Sequence, residues 1–224
     1  MNKNESVVRK DLDIGDLMFG YLELFKKQGR FNSVLVKEDV SRIVEGVQEV
    51  NAYKWPIRGI YAYDSITFQH SMFVTMGAIY FGKAMGLDNY DMVDLAINGL
   101  IHDYGKIYVP KTIITAPRKL TDTEFELIKT HPNYIDTLSI PEEYKVLGKF
   151  HHERVDGSGY PNKEFYIPLV GRMGAVIDVF EALAADRPYR KSLDNNDIGE
   201  IMDKGVGTQF DKNVYLEFKK ILVL

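Results

Sequence analysis

Ser65-Ile66-Thr67-Phe68-Gln69-His70-Ser71-Met72-Phe73-Val74-Thr75-Met76-Gly77-Ala78-Ile79-Tyr80-Phe81-Gly82 is the stretch on which the fold turns. It runs for 18 residues without a formal charge, the lower limit for a transmembrane helix. Gln69, His70, Ser71 and Thr75 interrupt its apolar character, however, and such side chains are poorly tolerated in hydrocarbon. A helix that is apolar nearly all round and does not span a bilayer belongs in the middle of a protein core. The expectation is a buried core helix, with no membrane as partner.

Outward from this helix, apolar residues recur at three- and four-residue spacing and strict alternation is scarce, which predicts an all-α fold. Helices are expected over Leu12 to Lys27, Lys37 to Tyr53, Ile66 to Met85 and Tyr90 to His102. Thr121-Asp122-Thr123-Glu124 has the form of a capping box and should start a helix that reaches about His131, where Pro132 ends or kinks it. Pro141 should begin a helix running towards His151, followed by the turn-rich Asp156-Gly157-Ser158-Gly159-Tyr160-Pro161. Further helices fit Val170 to Ala185, Asp197 to Lys204 and Asp211 to Leu222. The break at Trp55-Pro56 is the best boundary, between an N-terminal helical segment (1–54), regulatory or dimerising, and a main domain (55–224).

Composition narrows the chemistry. The chain has 224 residues, 45% hydrophobic and 27% charged, the proportions of a globular protein able to build a core. Cysteine is absent, which removes thiolate catalysis and Cys-type zinc sites and fits a reducing cytoplasm. The net charge of −4 offers no global field for DNA, so an anionic ligand needs a local basic pocket. The first residues, MNKNESVVRKDLDIGD, mix both signs and lack the apolar run of a signal peptide. Cytoplasmic localisation is the expectation.

All five histidines fall between positions 70 and 152: His70, His102, His131, His151 and His152. A lone histidine is usually a satisfied core or surface residue, whereas this clustering points to metal. Imidazole with carboxylate, without thiolate, suits iron, manganese or zinc. Neighbours on a helix point about 100° apart, so His102-Asp103 and His151-His152 suggest two ions rather than one, with Asp103 able to bridge them. Paired ions stabilise attacking and leaving oxygens together, which implies phosphoester hydrolysis. Asp178 lies in the otherwise apolar Met173-Gly174-Ala175-Val176-Ile177-Asp178-Val179-Phe180, where an unpaired carboxylate is expensive; it is a metal ligand or a hydrogen-bonded structural residue. Lys106 is either a solvated lysine complementing a helix dipole or a phosphate-binding cation. Arg187 and Arg190, which flank Pro188-Tyr189, are either a solvated helix end or forks for phosphate oxygens.

With these residues placed, the chain resembles the HD-GYP phosphodiesterases, a branch of the HD metal-dependent phosphohydrolases. The ordered match runs through Gln69-His70-Ser71, His102-Asp103-Tyr104-Gly105-Lys106 and Lys119-Leu120-Thr121 with Lys129-Thr130-His131-Pro132. It continues through His151-His152-Glu153-Arg154, Asp156-Gly157-Ser158-Gly159-Tyr160-Pro161, Val176-Ile177-Asp178-Val179, Asp186-Arg187-Pro188-Tyr189-Arg190 and Gly207-Thr208-Gln209-Phe210-Asp211.

The resemblance implies an all-helical domain whose metal centre hydrolyses cyclic di-GMP, a bacterial second messenger, to pGpG or onward to GMP. It implies His70, His102, Asp103, His131, His151, His152 and Asp178 as ligands, with Asp103 bridging. Lys106 is then a phosphate contact that helps the leaving group; Arg187 and Arg190 are contacts to the second phosphate or guanine, and Tyr160 borders the site. Two divalent ions, iron or manganese, are the implied cofactors. A homodimer and a signalling partner at the Gly159-Tyr160-Pro161 loop are candidate partners. Some members carry a Glu one turn before the first His, supporting a third metal; Ile66 stands there, which predicts a binuclear site. Tyr104 and Gln209 also depart from the commoner residues. The alternatives are a cyclic di-GMP sensor that does not turn it over and a general HD nucleotide hydrolase.

Overall fold

In the computed structural model, which describes residues 13–31, 35–186 and 190–223, the chain folds into α1 (Ile14–Gln28), α2 (Lys37–Glu49), α3 (Lys54–Tyr63), α4 (Ser65–Ala84) and α5 (Asn89–Ile101). Short α6 (Lys111–Ile114), α7 (Asp122–Ile128) and α8 (Val146–Phe150) follow, then α9 (Leu169–Ala184), α10 (Asn195–Asp203) and α11 (Lys212–Ile221). Isolated bridges pair Phe31 with Leu222 and Val206 with Phe210, and the described residues form no strand. The fold is all-α. No helix among the described residues is long and apolar enough to cross a membrane.

Side-chain oxygens start most of the longer helices by accepting backbone N–H groups that a first turn leaves unpaired. Asp13 caps α1, Asp64 caps α4, Asp88 caps α5, Asp194 caps α10 and Asp211 caps α11. The predicted capping box on α7 is present: Thr121 accepts from Glu124 N–H at 3.3 Å, and Glu124 accepts from Thr121 N–H at 2.9 Å. Gly29 closes α1 at φ +62°, a left-handed conformation that glycine adopts without strain.

The uncharged stretch is α4, and the reason for its composition is that it faces two cores. Phe68, Met72, Met76, Ile79 and Tyr80 pack with α1, α2, α3 and α5. Val74, Ala78 and Phe81 pack with α9, α10 and α11. Phe31 lies against both cores. The crossing of α4 and α5 is so close that a Cβ on Gly99 would come 2.7 Å from Thr75 Cα.

Two expected elements differ. The second helix ends at Glu49, and Trp55-Pro56 lies in the first turn of α3 instead of breaking a helix. Proline is tolerated there because the N–H it lacks has no intrahelical acceptor. The helix expected from Pro141 is a 3-10 turn (Glu142–Tyr144) followed by α8.

Asp39 ties α2 to α4. Its carboxylate accepts Val36 N–H at 3.3 Å and meets Lys83 Nζ at 2.9 Å. Burial pushes this carboxyl up, but the Lys83 ammonium and the Val36 N–H outweigh it and hold it below the usual carboxylate range. A depressed folded-state value means that the stabilisation is present at neutral pH and disappears as acid protonates the folded carboxyl. Asp39→Asn should therefore cost about 1 kcal/mol at pH 7, discounted for the half-exposed lysine, with the difference from wild type closing below about pH 4 in denaturant titrations. A gap that persists into acid would assign the effect to packing.

Candidate metal centre

The residues of the centre sit where helices stop. His70 projects from α4, while His102 and Asp103 come directly after α5. His131 opens a 3-10 turn (His131–Thr137), His151 and His152 follow α8, and Asp178 lies on α9. Past a helix end the 100° rule no longer applies, which corrects the expectation for adjacent pairs. His151 and His152 join His131 in one group, and His102 and Asp103 join His70 in another, with ligand atoms inside each group within 4.8 Å of one another.

Two features hold these turns together. Gly105, in the 3-10 turn Tyr104–Tyr108, lets that turn press on the next: a Cβ there would lie 1.9 Å from the carbonyl oxygen of His131. Asn98, buried on α5, donates to the carbonyls of Asp94 (2.9 Å) and Glu143 (2.7 Å) and accepts Leu147 N–H (2.9 Å), so that α8 and its histidines are referenced to α5.

Backbone carbonyls select the tautomers. The Nδ1 atoms of His102, His131 and His151 lie 2.8, 2.7 and 2.8 Å from the carbonyl oxygens of Gly99, Ile128 and Leu147. A carbonyl can only accept, so each Nδ1 carries the proton and each Nε2 of a neutral ring presents a lone pair. Yet His131 Nε2 and His151 Nε2 face one another at 3.3 Å, as do His102 Nε2 and His70 Nε2. The two lone pairs opposed in the His131–His151 pair call for a cation between them. Asp103 completes the arrangement: it is fully buried, its Oδ1 lacks a hydrogen-bond partner, and Oδ1 lies 3.3 Å from His131 Nε2 while Oδ2 lies 3.4 Å from His70 Nε2. This donor set fits divalent metal, with Asp103 turned to both groups.

The electrostatics agree. Burial lowers His102 and His152, and burial together with the neighbouring imidazoles lowers His151 to about 3, so these rings stay neutral and able to ligate at pH 7. Burial alone would lower His70 too, but Glu181, Asp178 and Asp103 override it and push it up to about 10. The same negative field that draws a proton there draws a metal cation. Burial would raise Asp103 and Asp178, but Lys106 and the imidazoles hold Asp103, and His70 with the adjacent imidazoles hold Asp178, well below the usual carboxylate range.

A cleft of about 910 Å³ opens onto this centre, with His70, His152, Asp178, Lys106, Tyr160 and Arg190 among its walls. Lys106 Nζ lies 2.5 Å from Asp103 Oδ2, so the lysine stands at the centre and not out in solvent. Tyr160 stacks on His152 with ring centroids 4.5 Å apart. Arg190 lines the cleft while its guanidinium donates to the carbonyls of Ala182 and Leu183 at the end of α9. Arg187 lies outside the described residues. Ile66, 41% exposed, supplies no ligand atom and borders both this cleft and a second cavity of about 800 Å³ behind His70. Glu181 lines that rear cavity.

Sequence reasoning missed Asn98, Glu153 and Glu181. Glu153, 1% exposed, accepts the N–H groups of Asn162 (2.8 Å) and Glu164 (3.0 Å) and so pins the Tyr160 loop beside His152. The available signal was the same as for Asp178: a carboxylate or amide among apolar or ligand residues.

Gly105→Ala should force the two 3-10 turns apart, at a cost of about 3 kcal/mol, seen as a melting temperature lower by roughly 6–12 °C and weaker metal uptake. An unchanged melting curve would show that the backbones do not touch there.

The HD domain family model matches residues 56–214. A cyclic di-GMP phosphodiesterase of Pseudomonas aeruginosa is 35% identical over 164 residues, 70% of this chain and 39% of that protein. A 3'3'-cGAMP-specific phosphodiesterase of Vibrio cholerae is also 35% identical over 164 residues, 70% of this chain and 38% of the relative. This chain thus spans less than two-fifths of the length of these relatives. The structure of an HDG"Y"P protein from Bdellovibrio bacteriovorus superposes with a TM-score of 0.57 at 14% identity, covering 95% of this chain and 73% of that one, a likeness of fold. With the domain model, the ordered motifs and the helical architecture in agreement, this chain belongs to the HD domain family, in its HD-GYP branch.

Proposed function

We propose that this chain is a metal-dependent phosphodiesterase that hydrolyses cyclic di-GMP to pGpG or onward to GMP. The observation that carries the reading is Asp103, a buried carboxylate set between two groups of histidines whose Nε2 atoms oppose one another, and paired with Lys106, which lines the cleft together with His70, His152 and Asp178. His70, His102, Asp103, His131, His151, His152 and Asp178 would hold two divalent ions, iron or manganese. Such ions, when bound, supply Lewis-acid polarisation of the phosphoryl oxygens and acidify bound water.

The chain's own groups then do the following. Asp103 keeps the two halves of the centre at a fixed separation and places Lys106 by its hydrogen bond. Lys106 offers a cation to the phosphate, neutralising charge as the bond from phosphorus to the 3' oxygen breaks; pGpG keeps its phosphate on the 5' side and the 3' oxygen leaves as a hydroxyl. Tyr160 and Arg190 bound the cleft where base and second phosphate would lie; the family resemblance gives Arg187, outside the described residues, a contact to the same phosphate or guanine. Burial, with Asp178 and Asp103 nearby, raises the Tyr160 phenol, so it remains a hydrogen-bond donor. The segment 1–54 is read as a regulatory or dimerising element, and the Gly159-Tyr160-Pro161 loop as a docking point for a signalling partner.

Purified protein incubated with cyclic di-GMP and manganese or iron should yield pGpG by product chromatography, and Asp103→Asn should lose both turnover and metal. Binding without turnover would establish the sensor alternative, and hydrolysis of ordinary nucleotides alone the general hydrolase. A parallel arm with 3'3'-cGAMP tests preference among cyclic dinucleotides, motivated by the Vibrio relative.

Because Ile66 offers no oxygen one turn before His70, elemental analysis of anaerobically purified protein should find two metals per chain. A third stoichiometric ion in the cluster would overturn that count.

A further inference from the structure

Each imidazole of the centre turns one nitrogen to the ligand cluster, and the partner of the other nitrogen sets how strongly the ring donates. For His102, His131 and His151 that partner is a neutral backbone carbonyl. His70 differs. Its Nδ1 meets the carboxylate of Glu181, 7% exposed and three residues after Asp178 on α9. Asp178 Oδ1 lies 2.9 Å from Nε2 of the same ring. Helix α9 therefore grips His70 from both edges, Asp178 on the cleft side and Glu181 on the rear-cavity side.

A carboxylate partner carries a full negative charge where a carbonyl carries a partial one. The proton on Nδ1 is held more strongly towards it, and the lone pair on Nε2 becomes the better donor to a cation. The two groups of ligands are thus unequal by construction. We propose that Glu181 is a positioning residue that makes the His70, His102 and Asp103 half of the centre the tighter divalent-ion site, with the His131, His151 and His152 half filling at higher free metal. The inference rests on the reading of this centre as a two-ion hydrolytic site.

The test is a manganese titration of metal-free full-length protein, followed by calorimetry and by electron paramagnetic resonance of free ion. Wild type should bind in two separated steps. Glu181→Gln keeps an acceptor of the same shape and removes only the charge; it should weaken the tight step about 10- to 100-fold and leave the weak step in place. Glu181→Ala, which also frees the ring to turn, should weaken the tight step further. Circular dichroism and hydrodynamic size of the metal-free Gln variant should match wild type, separating the effect from misfolding, while its melting temperature falls because the Glu181 charge on the His70 ring is gone. Equal affinities in wild type, loss of the weak step instead of the tight one, or Gln and Ala variants that titrate as wild type does would each overturn the inference while leaving the two-ion reading intact. A wild-type protein that takes up no divalent ion would overturn both.

Discussion

A carboxylate taken wholly out of water is destabilising by several kcal/mol unless positive charge or hydrogen bonds surround it. Asp103 is in that position, and the rest of the structure is arranged about the need to compensate it. Lys106 reaches it from the same turn, and imidazoles approach it from α4, from the 3-10 turn at His131 and from the end of α8. These groups come from segments far apart in sequence, so the bundle must bring several helix ends to a common point. That is why short helices and 3-10 turns crowd this side of the molecule, while the long helices α1, α4, α5 and α9 build the bulk of the two cores.

The long helices set the position of the centre by close contact and, through Asn98, by hydrogen bonding. Helix α4 is buried on both faces, and its crossing with α5 allows no side chain on Gly99. Since α4 carries His70 and α5 leads into His102-Asp103, that crossing fixes the distance between the elements bearing one group of ligands. The other group is referenced to α5 through Asn98 and to the Asp103 turn through Gly105. Dense packing transmits small displacements, so core substitutions at these contacts act on the centre as directly as substitutions at its rim.

Much of this was legible in the sequence, for identifiable reasons. Helix positions follow from apolar period, and the Thr121 box appears as read, whereas the Asp caps of five helices show only in the structure. The ordered His and Asp motifs point to the centre because their types are chemically unusual together. What was not legible depended on where helices stop. Trp55-Pro56 looked like a break because proline usually is one, yet in a first turn it is harmless. The adjacent pairs looked unable to share a group because helical geometry was assumed where the chain has already left the helix. Asn98, Glu153 and Glu181 are ordinary residues in a sequence, and only the fold shows that their polar atoms have no water to turn to.

The ring of His70 lines two cavities, a front of about 910 Å³ and a rear of about 800 Å³. The front also holds Lys106 and Tyr160, the groups proposed to meet the substrate, whereas the rear meets the same imidazole on the side of Glu181. On the proposed reading, His70 has two sides with separate duties, one towards the reaction and one that sets how strongly the ring donates. If the proposed roles hold, sequence change at rear-lining residues such as Glu181 that do not reach the front adjusts how firmly an ion is held and leaves the front lining as it is, so that the two properties vary independently.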